Sequence, residues 1–306
     1  MFGYTCKRVF IGILSLFVLV TAAFFLTRMM PGSPFQTGNV SESVLTSMEE
    51  EYGLNEPVFK QYATYLSNLM HGDLGISFKK PGVRVSEVIT RAWPATAALG
   101  ALAIVLAAVV GTLLGIWQAS TKKRLVKGGI FFSTMLGTGI PNFVIALLLM
   151  LFFGVKLKLL PIAGLTGAEN YILPVVSLAV YPAAVITRLM RNTFQEEMNR
   201  DYVVLAKAKG LGWRRTAMTH ILRNAWIPVL NYIGPAAAFL MTGSFVVESV
   251  FTIPGLGREF VNSIENRDYT LILGLTIFMG VTVIGINLLT DLLCAWLDPR
   301  VRRAYR

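Results

Sequence analysis

Hydrophobic residues in this chain fall in long blocks. Reading from one charged residue to the next leaves six uncharged stretches: Val9–Thr27, Ala92–Thr121, Gly128–Val155, Asn170–Thr187, Asn224–Val247 and Tyr269–Thr290. They run 19, 30, 28, 18, 24 and 22 residues, and no other uncharged stretch reaches 18. At about 1.5 Å rise per residue each can cross a hydrocarbon core, with tilt or interfacial ends absorbing the excess. A β-barrel would instead alternate apolar and polar positions over segments of about ten residues, a pattern this chain lacks. The blocks predict an all-α integral membrane protein with six transmembrane helices.

The connections divide the chain further. Residues 1–30 hold a basic start and an apolar run that leads into Arg28-Met29-Met30-Pro31 without a small-x-small cleavage site, so they read as a retained signal anchor. Residues 31–92 form an external segment. It opens on Pro31-Gly32-Ser33-Pro34, which must break the first helix. Asn55, with Pro57 behind it, is expected to cap a short helix in which Val58, Tyr62, Tyr65 and Leu69 recur at helical spacing, widened by Leu66. His71-Gly72-Asp73-Leu74-Gly75 reads as the turn that ends it. Its apolar content is too small for a core of its own. Residues 93–297 carry five helices joined by short connections, and 298–306 form a tail. Pro94, Pro141, Pro174, Pro182, Pro228 and Pro235 lie in or beside the spans, where proline kinks a helix and frees carbonyls. Gly111-x-x-x-Gly115 offers one close helix contact.

Composition agrees with a lipid solvent: 54% of the 306 residues are hydrophobic, 15% are charged, and mean hydropathy is +0.60. Placing the N-terminus in the cytoplasm puts 18 of the 28 Lys and Arg inside, but only 4 of the 17 acidic residues. Twelve acidic residues fall outside, and Asp291 sits at the inner end of the last span. Both termini are therefore expected in the cytoplasm. This asymmetry accounts for the net charge of +11 without a nucleic acid, and it brings some attraction to anionic lipid head groups. Cys6 and Cys294 both fall near the cytoplasmic face, and no disulfide or metal-ligand spacing exists.

The connection between the fourth and fifth spans, residues 191–223, is longer than a connector needs. Asp201 is expected to cap a short helix with an apolar side of Val203, Val204, Leu205, Ala206 and Ala208. Gly210 permits a left-handed turn, and a second, basic helix follows through His220 to Arg223. Two readings are open on these residues. One is a folded loop lying on the membrane surface; the other is a knob whose small residues and cations fit a groove in a cytoplasmic partner.

The run Asp201-Tyr202 … Ala206-Lys207-Ala208-Lys209-Gly210-Leu211 resembles the coupling-loop signature of permease subunits of binding-protein-dependent ABC importers, and more narrowly the oligopeptide and dipeptide permease family. Other segments resemble it too: Pro31-Gly32-Ser33-Pro34, His71-Gly72-Asp73-Leu74-Gly75-x-Ser77, Pro141-x-Phe143, Glu248-x-Val250-Phe251-x-x-Pro254-Gly255-Leu256-Gly257, Asn266-Arg267-Asp268-Tyr269 and Asp298-Pro299-Arg300. The likeness is strongest to the first permease subunit of an oligopeptide importer. One departure stands out. The wider superfamily has Glu-Ala-Ala six residues before the loop glycine, and this chain has Val204, Leu205 and Ala206 there, as the peptide subgroup does.

The resemblance implies the type I ABC importer fold in a bacterial cytoplasmic (inner) membrane. It implies a second homologous permease subunit, two cytoplasmic ATPases that dock on the loop, an external solute-binding protein and a peptide cargo. In that reading Asp201, Tyr202, Ala206, Ala208, Lys209, Gly210 and Leu211 form the coupling loop, and Asp201 substitutes for the missing Glu. The chain itself needs no cofactor, since ATP and Mg would be bound by the partner ATPases. Consistently, no Lys here follows a Gly, so there is no Walker A motif. The same architecture could import dipeptides, nickel, glutathione or heme.

Rival classes lack their residues. An ion-coupled secondary transporter would place ionisable groups at mid-membrane, and the six spans have none. A membrane enzyme would need a nucleophile with a base or clustered ligands, and the two histidines, His71 and His220, fall on opposite sides. Glu248, at the end of the fifth span, has two readings: a pathway mouth meeting a substrate ammonium, or a structural pair with Arg258 or Arg267.

Overall fold

The computed structural model describes residues 2–31, 34, 35, 49, 50 and 53–297. Gly32 and Ser33 of the first proline motif, the Asp298-Pro299-Arg300 motif and the tail lie outside the described residues. Among the described residues the structure is helical, apart from a small hairpin whose single bridge joins Ile76 to Arg84.

The first span is α1 (Phe2–Arg28). The segment after it contributes α2 (Val58–Met70), then the hairpin, then α3 (Val85–Ser120). The chain continues through α4 (Arg124–Gly139), α5 (Asn142–Lys156) and α6 (Ile172–Met198). A short α7 (Asp201–Ala208) precedes α8 (Trp213–Thr242). Two short helices, α9 (Phe245–Val250) and α10 (Leu256–Glu265), lead to α11 (Tyr269–Leu297).

Five of these helices are long and apolar enough to cross a bilayer, and the pair α4 and α5 makes a sixth if taken as one span. Within the third apolar block α4 and α5 meet at a bend of 106°, so the kink expected near a proline is here a sharp break. Pro141 is the cause. Its ring drives Ile140 out of the helical region, to φ −93 and ψ 126, and it offers no N–H to the turn before it. The other five prolines named above leave their helices continuous.

α3 and α6 form the centre of the packed core. Gly111 and Gly115 make this possible: a Cβ on either would stand 2.8 Å from the carbonyl oxygen of Ala183 or Thr187. The two backbones therefore touch where the small-residue pattern predicts a contact. α8 packs on both helices, and the Thr193 hydroxyl of α6 donates to the Ala225 carbonyl of α8 at 3.0 Å. α1 is peripheral and leans on α11, with Arg8 paired to Asp291 at 3.1 Å near one end.

At the opposite end α2 lies across α1. Tyr62 and Tyr65 meet Phe24 at 5.2 and 5.7 Å between ring centroids. Tyr62, Tyr65, Leu66 and Leu69 face inward as their spacing predicts, whereas Val58 is exposed. The expected cap at Asn55 is displaced: the helix starts at Val58 behind Pro57, with no side-chain cap. The turn at 71–75 ends α2 as expected, with Gly72 and Gly75 both at positive φ.

Candidate functional site

Two places concentrate the residues singled out in the sequence, one at each end of the bundle.

The first is the 191–223 connection. α6 runs past the expected span end to Met198, and Arg200 in extended conformation starts α7. Asp201 is the first residue of α7, not its cap. Among the described residues Arg200 holds the cap position and no side chain closes it, while the Asp201 carboxylate meets the positive end of the helix. Val203 and Ala206 are buried, and Val203 joins the core cluster that includes Phe194, Ala217 and Ile221. Tyr202 packs beside them, and its hydroxyl donates to Glu197 Oε2 at 2.5 Å. Burial and that carboxylate push the Tyr202 hydroxyl above its ordinary pKa, so it stays a neutral donor.

Gly210 closes the helix. With φ +77 it turns left-handed, its N–H reaches Lys207 O at 2.9 Å, and Leu211 N–H reaches Ala206 O at 3.1 Å. The second helix of the connection is continuous with the fifth span. α8 begins at Trp213, and a π-helical turn at Ala217–Ile221 carries it into the membrane, because nothing between Arg215 and Asn224 breaks a helix.

The apolar side expected of α7 is divided. Val203 and Ala206 anchor it, whereas Val204 and Leu205 are 61% and 55% exposed. Ala208, Trp213 and Met218 are exposed as well, among the cations Lys207, Lys209, Arg214 and Arg215. The result is a rigidly based knob with an apolar tip and a basic rim.

The second place surrounds Glu248. Its side chain is 2% exposed, and both carboxylate oxygens are engaged within the chain. Oε1 accepts from the Thr96 hydroxyl at 3.0 Å, and Oε2 accepts from the Arg258 backbone N–H at 2.9 Å. Thr96 in turn accepts from Leu256 N–H at 2.8 Å. A Cβ on Gly255 would fall 2.5 Å from the Glu248 carboxyl carbon, and one on Gly257 3.0 Å from Oε2. Glu248, Gly255 and Gly257 are thus one device, a carboxylate seated in a glycine loop and tied to α3. Arg258 does meet Glu248, but through its main chain rather than its guanidinium.

A second buried carboxylate, not singled out by charge reasoning, does the same for the segment between α2 and α3. Asp268 is 1% exposed and accepts from the Ser77 hydroxyl, from Phe78 N–H at 3.0 Å and from Leu271 N–H at 3.2 Å. It joins two motifs 190 positions apart, and Lys80 adds an ion pair to Glu259 at 2.7 Å. The available signal was the placement of Asp268 one residue before the last helix, where a capping carboxylate belongs. Among the described residues no group of three or more His, Cys, Asp or Glu could hold a metal ion.

Residues 111–303 match the family described as binding-protein-dependent transport system inner membrane component, and residues 1–100 match the N-terminal family of the same membrane components. The chain is 41% identical over 305 residues to an oligopeptide transport system permease protein of Haemophilus influenzae. It is 39% identical over 302 residues to a dipeptide transport system permease protein of Lactococcus lactis. Each match covers 99% of this chain and 100% of the relative. Among solved structures, a methionine ABC transporter in an inward-facing conformation aligns with TM-score 0.58 at 17% identity, covering 69% of this chain and 96% of the other. An amino acid ABC transporter aligns with TM-score 0.53 at 18% identity, covering 68% and 93%.

Proposed function

This chain belongs to the family of binding-protein-dependent transport system inner membrane components, as a multi-pass permease subunit of the oligopeptide and dipeptide type in a bacterial inner membrane, and from that footing we propose that it forms half of an ATP-driven peptide pathway. The energy comes from two cytoplasmic ATPases that seat on the knob at Asp201–Leu211. A second, homologous permease completes the pathway, and an external binding protein delivers cargo. ATP and Mg belong to the ATPases, and this chain holds no cofactor.

One observation carries the reading: the exposed apolar tip formed by Val204, Leu205 and Ala208 on a buried base. A loop resting on the bilayer would turn Lys207 and Lys209 toward head groups, but it has no use for a left-handed closure that fixes the tip on a rigid support. A helix tip inserted in a protein groove uses both, with the basic rim supplying charge complementarity. Asp201 takes the place of the absent Glu one turn earlier.

Oligopeptides are the favoured cargo, supported by the 31–34 and 71–77 segments that resemble the oligopeptide branch. Dipeptides, nickel, glutathione and heme are the alternatives within the same architecture. Glu248 is a positioning residue for the 254–257 loop, given that its oxygens are engaged inside the chain.

Site-specific cross-linking tests the docking. With Cys6 and Cys294 replaced by serine, a cysteine at Ala208 should cross-link to an ATPase subunit in membranes, and ATP should change the yield. A cysteine at exposed Met135 of α4 should not react. Equal reaction at both positions, or none at Ala208, would refute the assignment.

A further inference from the structure

A cavity of about 530 Å³ lies between the far end of α1, the inner side of α2 and the first turn of α11. Three side chains on its wall carry buried polar atoms without a hydrogen-bond partner: Arg28 Nε and Nη1, the Tyr65 hydroxyl and Gln61 Oε1. Arg28 is the last residue of α1, and its guanidinium stands 5.0 Å from the Phe24 ring centroid and 5.3 Å from that of Tyr269. The rings support the cation without satisfying its N–H groups. Gln61 is oriented by its own amide, whose NH2 donates to Leu54 O at 2.9 Å and to Glu56 O at 2.8 Å. Burial pushes the Tyr65 hydroxyl pKa up, so it remains a donor.

Two buried donors on a half-buried cation, a buried hydroxyl and a fixed carbonyl are costly when unpaired. Their chemistry suits anionic oxygens toward Arg28 and Tyr65 and an N–H or O–H toward Gln61; of the two carboxylates on the same wall, Glu56 is paired with Lys60 at 2.7 Å and Asp73 accepts from Gly75 N–H at 2.9 Å. The surroundings specify its source. The exposed apolar belt of α1 continues past this level through Leu26 and Met29, which are 64% and 79% exposed. It passes onto α2 through Phe59, 78% exposed, whose ring lies 6.2 Å from that of Phe25. Aromatic and apolar residues beside a cation at a span end mark the depth of lipid head groups.

We propose that this cavity binds the phosphate of a membrane phospholipid through Arg28 and Tyr65, with the head-group donor meeting Gln61, and that the bound lipid joins α1 and α2 to α11. Phosphate chemistry is the shared requirement, and a soluble phosphate is the alternative source.

The full-length chain, co-expressed with its partner subunits and purified in detergent, supports the test. Native mass spectrometry would follow phosphatidylethanolamine retention through successive detergent washes, for the natural chain and for Arg28→Gln and Tyr65→Phe. Tyr65→Phe keeps the ring and its packing on Phe24, so it guards against a merely unfolded variant. The expected result is one phospholipid that outlasts the bulk lipid, with retention reduced at least tenfold in Arg28→Gln and severalfold in Tyr65→Phe. In a second arm, inorganic phosphate is added to delipidated protein and the melting temperature recorded. Stabilisation of the natural chain alone, with no retained lipid, would keep the phosphate site and reject its lipid source. Equal lipid retention in all three proteins, with no response to phosphate, would overturn the proposal.

Discussion

Replacing Gly210 isolates the knob from the rest of the molecule. Gly210 sits at φ +77, and a Cβ built there meets nothing within 4 Å. A substitution therefore introduces no clash, and its whole effect is conformational. An L-residue held left-handed costs about 1–2 kcal/mol, with a β-branched one at the upper end. The chain can escape only by opening the turn, which gives up Gly210 N–H to Lys207 O and Leu211 N–H to Ala206 O. At about 0.5–1.5 kcal/mol net for each bond, escape costs about as much as strain. Either way the closed knob loses about 2 kcal/mol, roughly a 30-fold fall in its population against open forms. The core does not feel this, because Val203 and the α3–α6 contact lie elsewhere.

Gly210→Val should therefore insert in the membrane at normal abundance, while peptide uptake and peptide-stimulated ATP hydrolysis by the assembled importer fall by an order of magnitude or more. Gly210→Asn, which tolerates the left-handed region, should retain most activity. Hydrogen exchange at the Leu211 amide should rise in the valine variant only. Normal uptake by Gly210→Val would refute the reasoning, as would equal inactivity of the asparagine variant.

Other perturbations follow the same geometry. Asp268→Ala removes the acceptor shared by Ser77, Phe78 and Leu271, at about 1–3 kcal/mol for each buried group left unpaired. Limited proteolysis of the segment between α2 and α3 should accelerate, and unchanged protection would contradict the pinning role. Glu248→Gln presents an NH2 to a donor that now has an acceptor, costing about 1–3 kcal/mol. It should lower the melting temperature of the importer without changing the KM for peptides. A raised KM with unchanged stability would instead assign Glu248 to the pathway mouth. Gly111→Leu drives a side chain into the Ala183 carbonyl and Ile186, so membrane-inserted, folded protein should be scarce; normal yield would remove the close α3–α6 contact.

Much of this molecule is legible in the order of its residues, because lipid is a demanding solvent. A span must be long, uncharged and internally hydrogen-bonded, so five of the six apolar blocks fall largely within single long helices, and the third is the bent pair α4 and α5. The left-handed glycine at 210 and the Gly111–Gly115 contact are legible for a related reason, since each depends on the absence of a side chain. What escapes is long-range pairing. Nothing local says that Glu248 meets Thr96, 152 positions away, or that Asp268 meets Ser77, 191 positions away. All six prolines in or beside the spans read alike as kink sites, yet five leave their helices continuous and only Pro141 turns the chain sharply. The orphan atoms of Arg28 and Tyr65 were likewise hidden, because an unmet hydrogen bond has no sequence pattern.

The most direct test of the central claim reconstitutes this chain in liposomes with its second permease, its two ATPases and its binding protein, then measures uptake of labelled peptides of about two to five residues. Uptake that requires ATP, ceases without the ATPases and is stimulated by the peptide-loaded binding protein is the predicted result. Accumulation driven by an ion gradient, with the ATPases absent, would contradict the account.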